Sequence, residues 1–105
     1  MKKKQYEFLK PIKPETFSYT PESGYFNAAA ARLLIPQGEW ISFEVDSDNQ
    51  AFLAVPQHQG GILTYKMYQV PGSPVRVRGK LKEQGLKYGV YIHIGENVFQ
   101  HVNHM

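Results

Sequence analysis

The residues best suited to chemistry in this 105-residue chain form a basic cluster in its second half. The cluster consists of Arg76, Arg78, Lys80 and Lys82, separated by single apolar or small residues. If residues 75–78 form a strand, Arg76 and Arg78 share one face, because side chains alternate along a strand. Four cations on one surface suit the phosphates of nucleic acid, which arginine binds with paired N–H donors. The same cluster also fits a solvated face that keeps a domain soluble.

The sequence offers no comparable constellation for catalysis or metal binding. His101 and His104 have the spacing of two ligands on a helix, but they fall at a strand end with no third ligand evident. Asp46 and Asp48 lie in a predicted hairpin loop, where turn chemistry explains them. Gly60–Gly61 lacks the lysine and helix start of a phosphate-binding loop. We therefore expect no catalytic residue, no metal ligand and no cofactor, and a protein that is not an enzyme.

Aromatic residues are abundant, with seven Tyr, six Phe and one Trp. Most occupy alternating strand positions that are typical of core packing, among them Phe17, Tyr19, Phe43 and Phe52. A platform for stacked bases needs exposed aromatic rings beside cations. The candidates for such a platform are Tyr25, Tyr65 and Tyr68.

Turn and cap signals predict the elements that must position these residues. In the first half we expect an arm over residues 1–15, then strands over 16–20, 25–26, 40–45 and 50–55. Asn27 suits the N-cap of a helix that ends at Pro36. A linker is expected over Pro56–Gly61. The second half predicts strands over residues 64–70, 75–78, 90–94 and 98–102, and a short helix over Gly79–Gly85 with Gly85 at its C-cap.

The two halves, residues 16–56 and 64–102, repeat the same order of elements. Shifting the first half by 51 residues aligns its apolar positions with those of the second half. After the predicted hairpin of each half, the shift that aligns them falls to 47 residues. The aligned pairs include Phe26/Val77, Ala30/Leu81, Ile35/Leu86, Trp40/Tyr91, Ile41/Ile92, Phe43/Ile94 and, at the shorter shift, Phe52/Phe99. Half a chain of this size cannot bury its apolar faces alone. Two halves packed about a pseudo-two-fold axis would close a small barrel, whereas the alternative is a generic α+β domain with coincidental similarity.

The run from Gly24 to Phe43, and above all its segment Leu34-Ile35-Pro36-Gln37-Gly38-Glu39, resembles the SpoVT/AbrB swapped-hairpin family. The second half matches through Leu86-Lys87-Tyr88-Gly89. In that family each copy is half of a barrel, usually completed by dimerisation, and the barrel grips DNA. The resemblance implies a mainly β fold with two short helices, a small barrel of two pseudo-symmetric strand–helix–hairpin halves.

The sequence departs from this family at its basic positions. The family's Gly-Arg step reads Gly24-Tyr25 here, and the Ile-Pro that follows it is replaced by Asn27-Ala28. Arg76 falls where the second copy should carry its arginine, but Val75 replaces the glycine before it. The resemblance therefore implies only half of the family's DNA contacts.

Composition limits the class of protein. The net charge is +3 and cysteine is absent, so disulfides and thiolate sites are excluded and a reducing compartment is indicated. The length fits one domain, predicted over residues 16–105. The longest apolar runs, Ala28–Ala31 and Phe52–Val55, are too short to span a bilayer. We expect a soluble, cytoplasmic protein with no membrane partner.

Two hypotheses about function follow from these observations. The first is a non-enzymatic, regulator-like domain that binds duplex DNA through the basic face of Arg76, Arg78, Lys80 and Lys82. The alternative is a protein-interaction or assembly module that binds another chain or itself and has no nucleic-acid role.

Overall fold

One antiparallel sheet curls into a nearly closed barrel and accounts for most of the computed structural model, which describes residues 14–67, 73–77 and 80–104. The strand order across the sheet is β5-β3-β4-β8-β7-β1-β2-β6. The strands are β1 Thr16–Tyr19, β2 Gly24–Phe26, β3 Trp40–Asp46, β4 Ala51–Gln57, β5 Tyr65–Lys66, β6 Val75–Val77, β7 Gly89–Gly95 and β8 Val98–His101. The α-helix α1 spans Ala28–Leu34. The prediction of a mainly β, barrel-like domain is confirmed.

Aromatic side chains fill the inside of the barrel, as their alternation along the strands predicted. Phe17, Phe26, Phe52, Tyr91 and Phe99 are at most 1 % exposed. Their rings lie close together: the centroids of Phe17 and Phe26 are 4.7 Å apart, and Phe52 stacks on Phe99 at 5.3 Å. Packed aromatic pairs stabilise a fold beyond the area they bury. The core therefore holds strands of both halves together.

Asn27 caps α1, as the sequence predicted. Its Oδ1 accepts the backbone N–H of Ala30 at 2.9 Å and that of Thr16 at 3.1 Å, while its Nδ2 donates to the carbonyl of Pro14 at 2.7 Å. The helix passes directly into a 3-10 turn over Ile35–Gln37. One side chain thus starts the helix and fixes it against the start of β1.

The sequence predicts a second helix over Gly79–Gly85. This prediction is wrong for residues 80–85, the part of the segment that the structure describes. The chain instead forms a single 3-10 turn over Lys82–Gln84, with no side chain capping it at Leu81. The turn ends at Gly85, whose φ of +99° is the left-handed conformation expected of a C-cap glycine. Without a capping side chain, a segment this short has too few hydrogen bonds to offset helix nucleation.

The shift of 51 residues is also wrong between β3 and β7. It aligns Ile41 and Phe43, which point into the core, with the outward Ile92 and Ile94. It likewise aligns Trp40, on the outer face, with the fully buried Tyr91. A slip of one residue exchanges the two faces of a strand. The connection before β7 is shorter than the one before β3, which changes the register.

Several element boundaries differ from the prediction. β4 continues through Pro56 to Gln57, into the predicted linker, and β5 is only two residues long. The end of the predicted arm belongs to the fold, because the carbonyl of Glu15 accepts the N–H of His93 at 3.0 Å. Residues 1–13 of the arm, 68–70 of the predicted strand, and Arg78 lie outside the described residues. No helix in the described ranges is long and apolar enough to cross a membrane.

Candidate nucleic-acid interface

Arg76 lies exposed at the centre of β6 and is held by a tyrosine on the neighbouring strand. It stands directly opposite Tyr25 of β2 in the antiparallel register. Its Nε and Nη2 both donate to the Tyr25 hydroxyl, at 3.2 and 3.0 Å, and its Cζ lies 5.5 Å from the centre of the ring. A guanidinium has five N–H donors, so this arrangement leaves donors for a phosphate. The tyrosine orients the cation without neutralising it.

Lys82 is held in a second cation–tyrosine pair. Its backbone N–H donates to the Tyr19 hydroxyl at 2.7 Å, which fixes the start of the 3-10 turn. Its Nζ lies 5.0 Å from the ring centre of Tyr88, and that ring lies 5.0 Å from the ring of Tyr19. Tyr88 is 41 % exposed. The ammonium group is thus placed at the surface over an aromatic support.

Both pairs lie at the same end of the barrel. Tyr19 at the end of β1 pairs with Gly24 and with Gly89, and Gly24 pairs with Val77 at the end of β6. Arg76 is one residue from this end. The chain then passes through the exposed Lys80 to the 3-10 turn. We call Arg76, Lys80 and Lys82 the basic rim; Arg78, the fourth predicted residue, lies outside the described residues.

The dimensions of the basic rim suit a nucleic-acid backbone. The two cation–tyrosine pairs are separated by two to three strand spacings, or roughly 10 to 15 Å. Phosphates of one strand advance about 3.4 Å along the axis of a duplex and lie farther apart than that along the winding backbone, so a span of this size covers more than one phosphate. The basic rim can therefore contact more than one phosphate of the same backbone.

Acidic residues lie both within the basic rim and beside it. The exposed carboxylates of Glu22 and Glu83 lie in turns at this end of the barrel. Farther round the same end is the β3–β4 hairpin, where hydrogen bonds from Asn49 lower the pKa of Asp46. Carboxylates therefore lie among the cations of the basic rim as well as at the neighbouring hairpin.

The structure distinguishes between the tyrosines that the sequence predicted as positions for stacked bases. Tyr25 lies beside a cation, as a stacking position requires. Tyr65 does not, because its ring packs 6.0 Å from Phe43 against the core, and Tyr68 lies outside the described residues. Sequence reasoning missed Tyr88. Gly85 was the signal that could have identified it. A left-handed C-cap glycine turns the chain back, which brings the residues that follow it towards those before it.

Both C-terminal histidines have partners for their ring nitrogens. His101 is buried, its Nε2 donates to the carbonyl of Tyr88 at 2.9 Å, and its Nδ1 accepts the N–H of Asn103 at 3.1 Å. His104 Nε2 lies 3.1 Å from the carbonyl of Asp48. In the part of the chain that the structure describes, no three His, Asp or Glu side chains form a group that could hold a metal ion. These histidines secure the C-terminal turn.

Comparison with protein-family models, with curated proteins and with solved structures found no match. The function of the chain is therefore inferred from the basic rim and the residues around it.

Proposed function

We propose that this chain is a non-enzymatic DNA-binding domain that holds the phosphates of a duplex with its basic rim. The observation that carries the proposal is the pairing of Arg76 with Tyr25 and of Lys82 with Tyr88 at one end of the barrel. Each cation is exposed, yet each is positioned by an aromatic ring. Less side-chain entropy is then lost when a phosphate binds. Arg78 and Lys80 belong to the same proposal as neighbouring phosphate contacts.

A pseudo-two-fold relation between the halves, as in the swapped-hairpin barrels, is part of this proposal. Exchanging β1 to β4 with β5 to β8 maps every observed strand pairing onto an observed pairing, except β1·β2. The counterpart of β1·β2 would join β5 to β6, the two ends of the sheet. Two pairings map onto themselves, Tyr25 with Arg76 and Phe52 with Phe99. Those residues are separated by the two shifts, 51 and 47, at which the sequence halves align.

The proposal places the DNA contact close to this axis. Tyr25 and Arg76 are equivalent positions in the two halves, and in the structure they contact each other. The first half therefore supplies the aromatic support and the second half supplies the cation. This arrangement explains why the arginine is kept in the second half, as Arg76, while Tyr25 takes its position in the first half.

Fluorescence anisotropy with a labelled duplex of mixed sequence tests the proposal. At low salt the wild-type chain should bind, and Arg76→Ala and Lys82→Ala should each weaken binding about five- to tenfold, the loss of one charge-assisted contact. Lys66→Ala is the matched control, because Lys66 is a cation paired with an aromatic ring, Trp40, towards the opposite end of the barrel. Equal losses in all three variants would indicate a general charge effect and contradict a defined rim.

A labelled single strand distinguishes phosphate contact from base stacking. If the tyrosines serve to orient cations, Tyr88→Leu should weaken duplex and single-strand binding alike. A loss confined to the single strand would assign Tyr88 to base stacking. That result would contradict the duplex proposal.

The alternative of an assembly module is favoured by a different observation, the exposure of Ile62 and Leu63. These residues lie beyond Gln57, towards the opposite end of the barrel from the basic rim. DNA binding and assembly would therefore use separate surfaces. The cytoplasmic location expected from composition stays a prediction.

A further inference from the structure

A buried histidine holds the backbone of Tyr88, the residue whose ring supports Lys82 of the basic rim. His101 is 5 % exposed, and its Nε2 lies 2.9 Å from the carbonyl of Tyr88. The N–H of Asn103 donates to its Nδ1 at 3.1 Å. Because Nδ1 accepts this hydrogen bond it carries no proton, and Nε2 is the nitrogen that donates. His101 is therefore a neutral imidazole in one defined tautomer.

The imidazole of His101 fits closely into its pocket. A Cβ added at Gly89 would clash with Nε2, so the ring can take this position only beside a glycine. The Tyr91 ring stands edge-on against it, with the ring centres 5.0 Å apart. The backbone N–H of His101 donates to the carbonyl of Gln50 at 2.9 Å, which ties β8 to the β3–β4 hairpin. These contacts fix the imidazole, and the imidazole fixes the carbonyl of Tyr88.

The groups that face His101 from the neighbouring elements offer no negative charge to a protonated ring. From β7 the neighbour is the Tyr91 phenol, whose pKa burial raises to about 12, so it stays neutral. From the β3–β4 hairpin it is the uncharged Gln50. From the C-terminal turn it is the N–H of Asn103, and the same turn carries His104, a second base. In the described part of the chain no carboxylate contacts the ring of His101.

A second proton on His101 is incompatible with this pocket. A proton on Nδ1 would point at the N–H of Asn103, and the buried charge would have no counter-ion. Burying an unpaired charge is costly, so the protonated ring should leave the pocket for solvent. Histidine side chains gain this proton between about pH 5 and 8. The Tyr88 carbonyl then loses its donor, and the ring that supports Lys82 loses its fixed position.

We propose that His101 is a positioning residue of the basic rim, and that its protonation weakens the hold of the rim on DNA. This inference rests on the function proposed above and adds its regulation by pH. Tyr88 transmits the effect, because its carbonyl contacts His101 and its ring centre lies 5.0 Å from Lys82 Nζ. The direction is opposite to that of simple electrostatics, in which an added positive charge strengthens the binding of a polyanion.

The pH profile of duplex binding, compared between the wild type and His101→Gln, tests the proposal. The glutamine amide can donate to the Tyr88 carbonyl but does not titrate. At about pH 7.5 the two proteins should bind within about twofold of each other, and at about pH 5.5 the wild type should bind at least about threefold more weakly. His104→Gln is the matched control and should follow the wild type, because that ring lies against the Asp48 carbonyl instead.

A pair of glycine variants tests the pocket without a change of pH. Gly89→Ala should push the His101 ring out, so it should bind the duplex more weakly than Gly95→Ala, by a similar factor at both pH values. Gly95 is the matched control, since it also lies on β7 with a positive φ but has open space where the Cβ would be. Far-UV circular dichroism checks that both variants fold, and His101→Gln carries the test if Gly89→Ala does not.

Imidazole ¹⁵N NMR of the chain without DNA separates this inference from the proposed function. At about pH 7.5 the His101 ring should carry its proton on Nε2. On acidification the Tyr88 signals should shift together with those of His101, at pH values where Trp40 fluorescence shows the barrel intact. A chain that behaves in this way but binds no duplex would confirm that His101 positions Tyr88 and overturn the DNA role of the rim.

Two outcomes would overturn the positioning role itself. The first is a wild type that binds the duplex more tightly than His101→Gln at about pH 5.5, because the proton would then act only as added charge. The second is a titration of His101 that leaves the Tyr88 signals unchanged.

Discussion

At the scale of single residues, Asn27 connects three parts of the chain through one side chain. Its amide caps α1, accepts the N–H of Thr16 and donates to the carbonyl of Pro14. The capping role follows from the sequence, because Asn before a run of alanines is a helix start. The contacts with β1 do not, because they depend on how the helix docks on the sheet.

Asn27→Ala should lower the free energy of unfolding by about 2 kcal/mol, since it removes the cap and leaves the Thr16 N–H without its partner. Urea unfolding followed by Trp40 fluorescence measures the change. Asn27→Asp keeps the accepting oxygen and should lose less. A loss below about 0.5 kcal/mol in the alanine variant would show that the cap contributes little.

Tyr91 makes the stability of the fold depend on alkaline pH. Burial of its phenol raises its pKa to about 12, with a further contribution from Tyr19. Between pH 10 and 12 the unfolded chain loses this proton while the folded chain keeps it. The free energy of unfolding should therefore fall by about 1.4 kcal/mol per pH unit in that window, and the contribution is complete below pH 10.

The test compares wild type with Tyr91→Phe by urea unfolding at pH 9, 10 and 11. The difference in stability between the two proteins should change above pH 10 and stay constant below it. Tyrosines that do not interact with Tyr91 ionise alike in both proteins and cancel, whereas the coupling between Tyr91 and Tyr19 is part of the measured difference. A constant difference across the whole range would contradict the raised pKa.

At the scale of elements, the β3–β4 hairpin supports the basic rim through Gln50. This buried side chain donates to the carbonyls of Ser47 and Gly85, at 2.7 and 2.9 Å, and accepts the N–H of Lys87 at 2.8 Å. The sequence predicted only a strand at this position. Its polar role depends on residues 35 and 37 positions away, which no local pattern reveals.

Gln50→Ala should loosen the segment that leads from Gly85 to Tyr88. The N–H of Lys87 loses its acceptor in a half-buried site, so its hydrogen exchange should accelerate by at least about tenfold, equivalent to about 1.4 kcal/mol. Gln59→Ala, on the exposed loop after β4, is the control. Unchanged exchange at Lys87 would show that the hairpin does not support the rim.

The accuracy of the sequence prediction differs from one element to another. β1, β2 and α1 follow from alternation, turn residues and a cap, and they were predicted within one or two residues. The segment around Lys82 was predicted as a helix because Gly85 is a good C-cap, but no residue caps its start. Alignment of the halves placed Tyr91 opposite Trp40, because hydrophobicity alone does not distinguish the two faces of a strand.

At the scale of the whole molecule, the strands of the two halves are interleaved in pairs around the barrel, with β5 and β6 of the second half at the two ends of the sheet. β1 of the first half pairs with β7, and β5 of the second half pairs with β3. The first half also contacts the second through β4·β8 and β2·β6. Neither half retains its sheet without the other.

Unfolding should therefore be a single cooperative transition. Trp40 fluorescence reports on β3 in the first half, and hydrogen exchange of the Ile92 and Tyr91 amides reports on β7 in the second. Both should give the same free energy of unfolding. Two separated transitions would mean that the halves are independent units and would contradict the interleaved barrel.

The salt dependence of duplex binding tests the central claim most directly. Each phosphate contact contributes about −0.9 to the slope of log K against log salt. If Arg76, Lys80 and Lys82 each contact one phosphate, the basic rim predicts a slope of about −3, and Arg76→Ala should make it shallower by about one, while Lys66→Ala leaves it unchanged. No binding at low salt, or a slope that Arg76→Ala does not alter, would contradict the assignment of the basic rim to DNA.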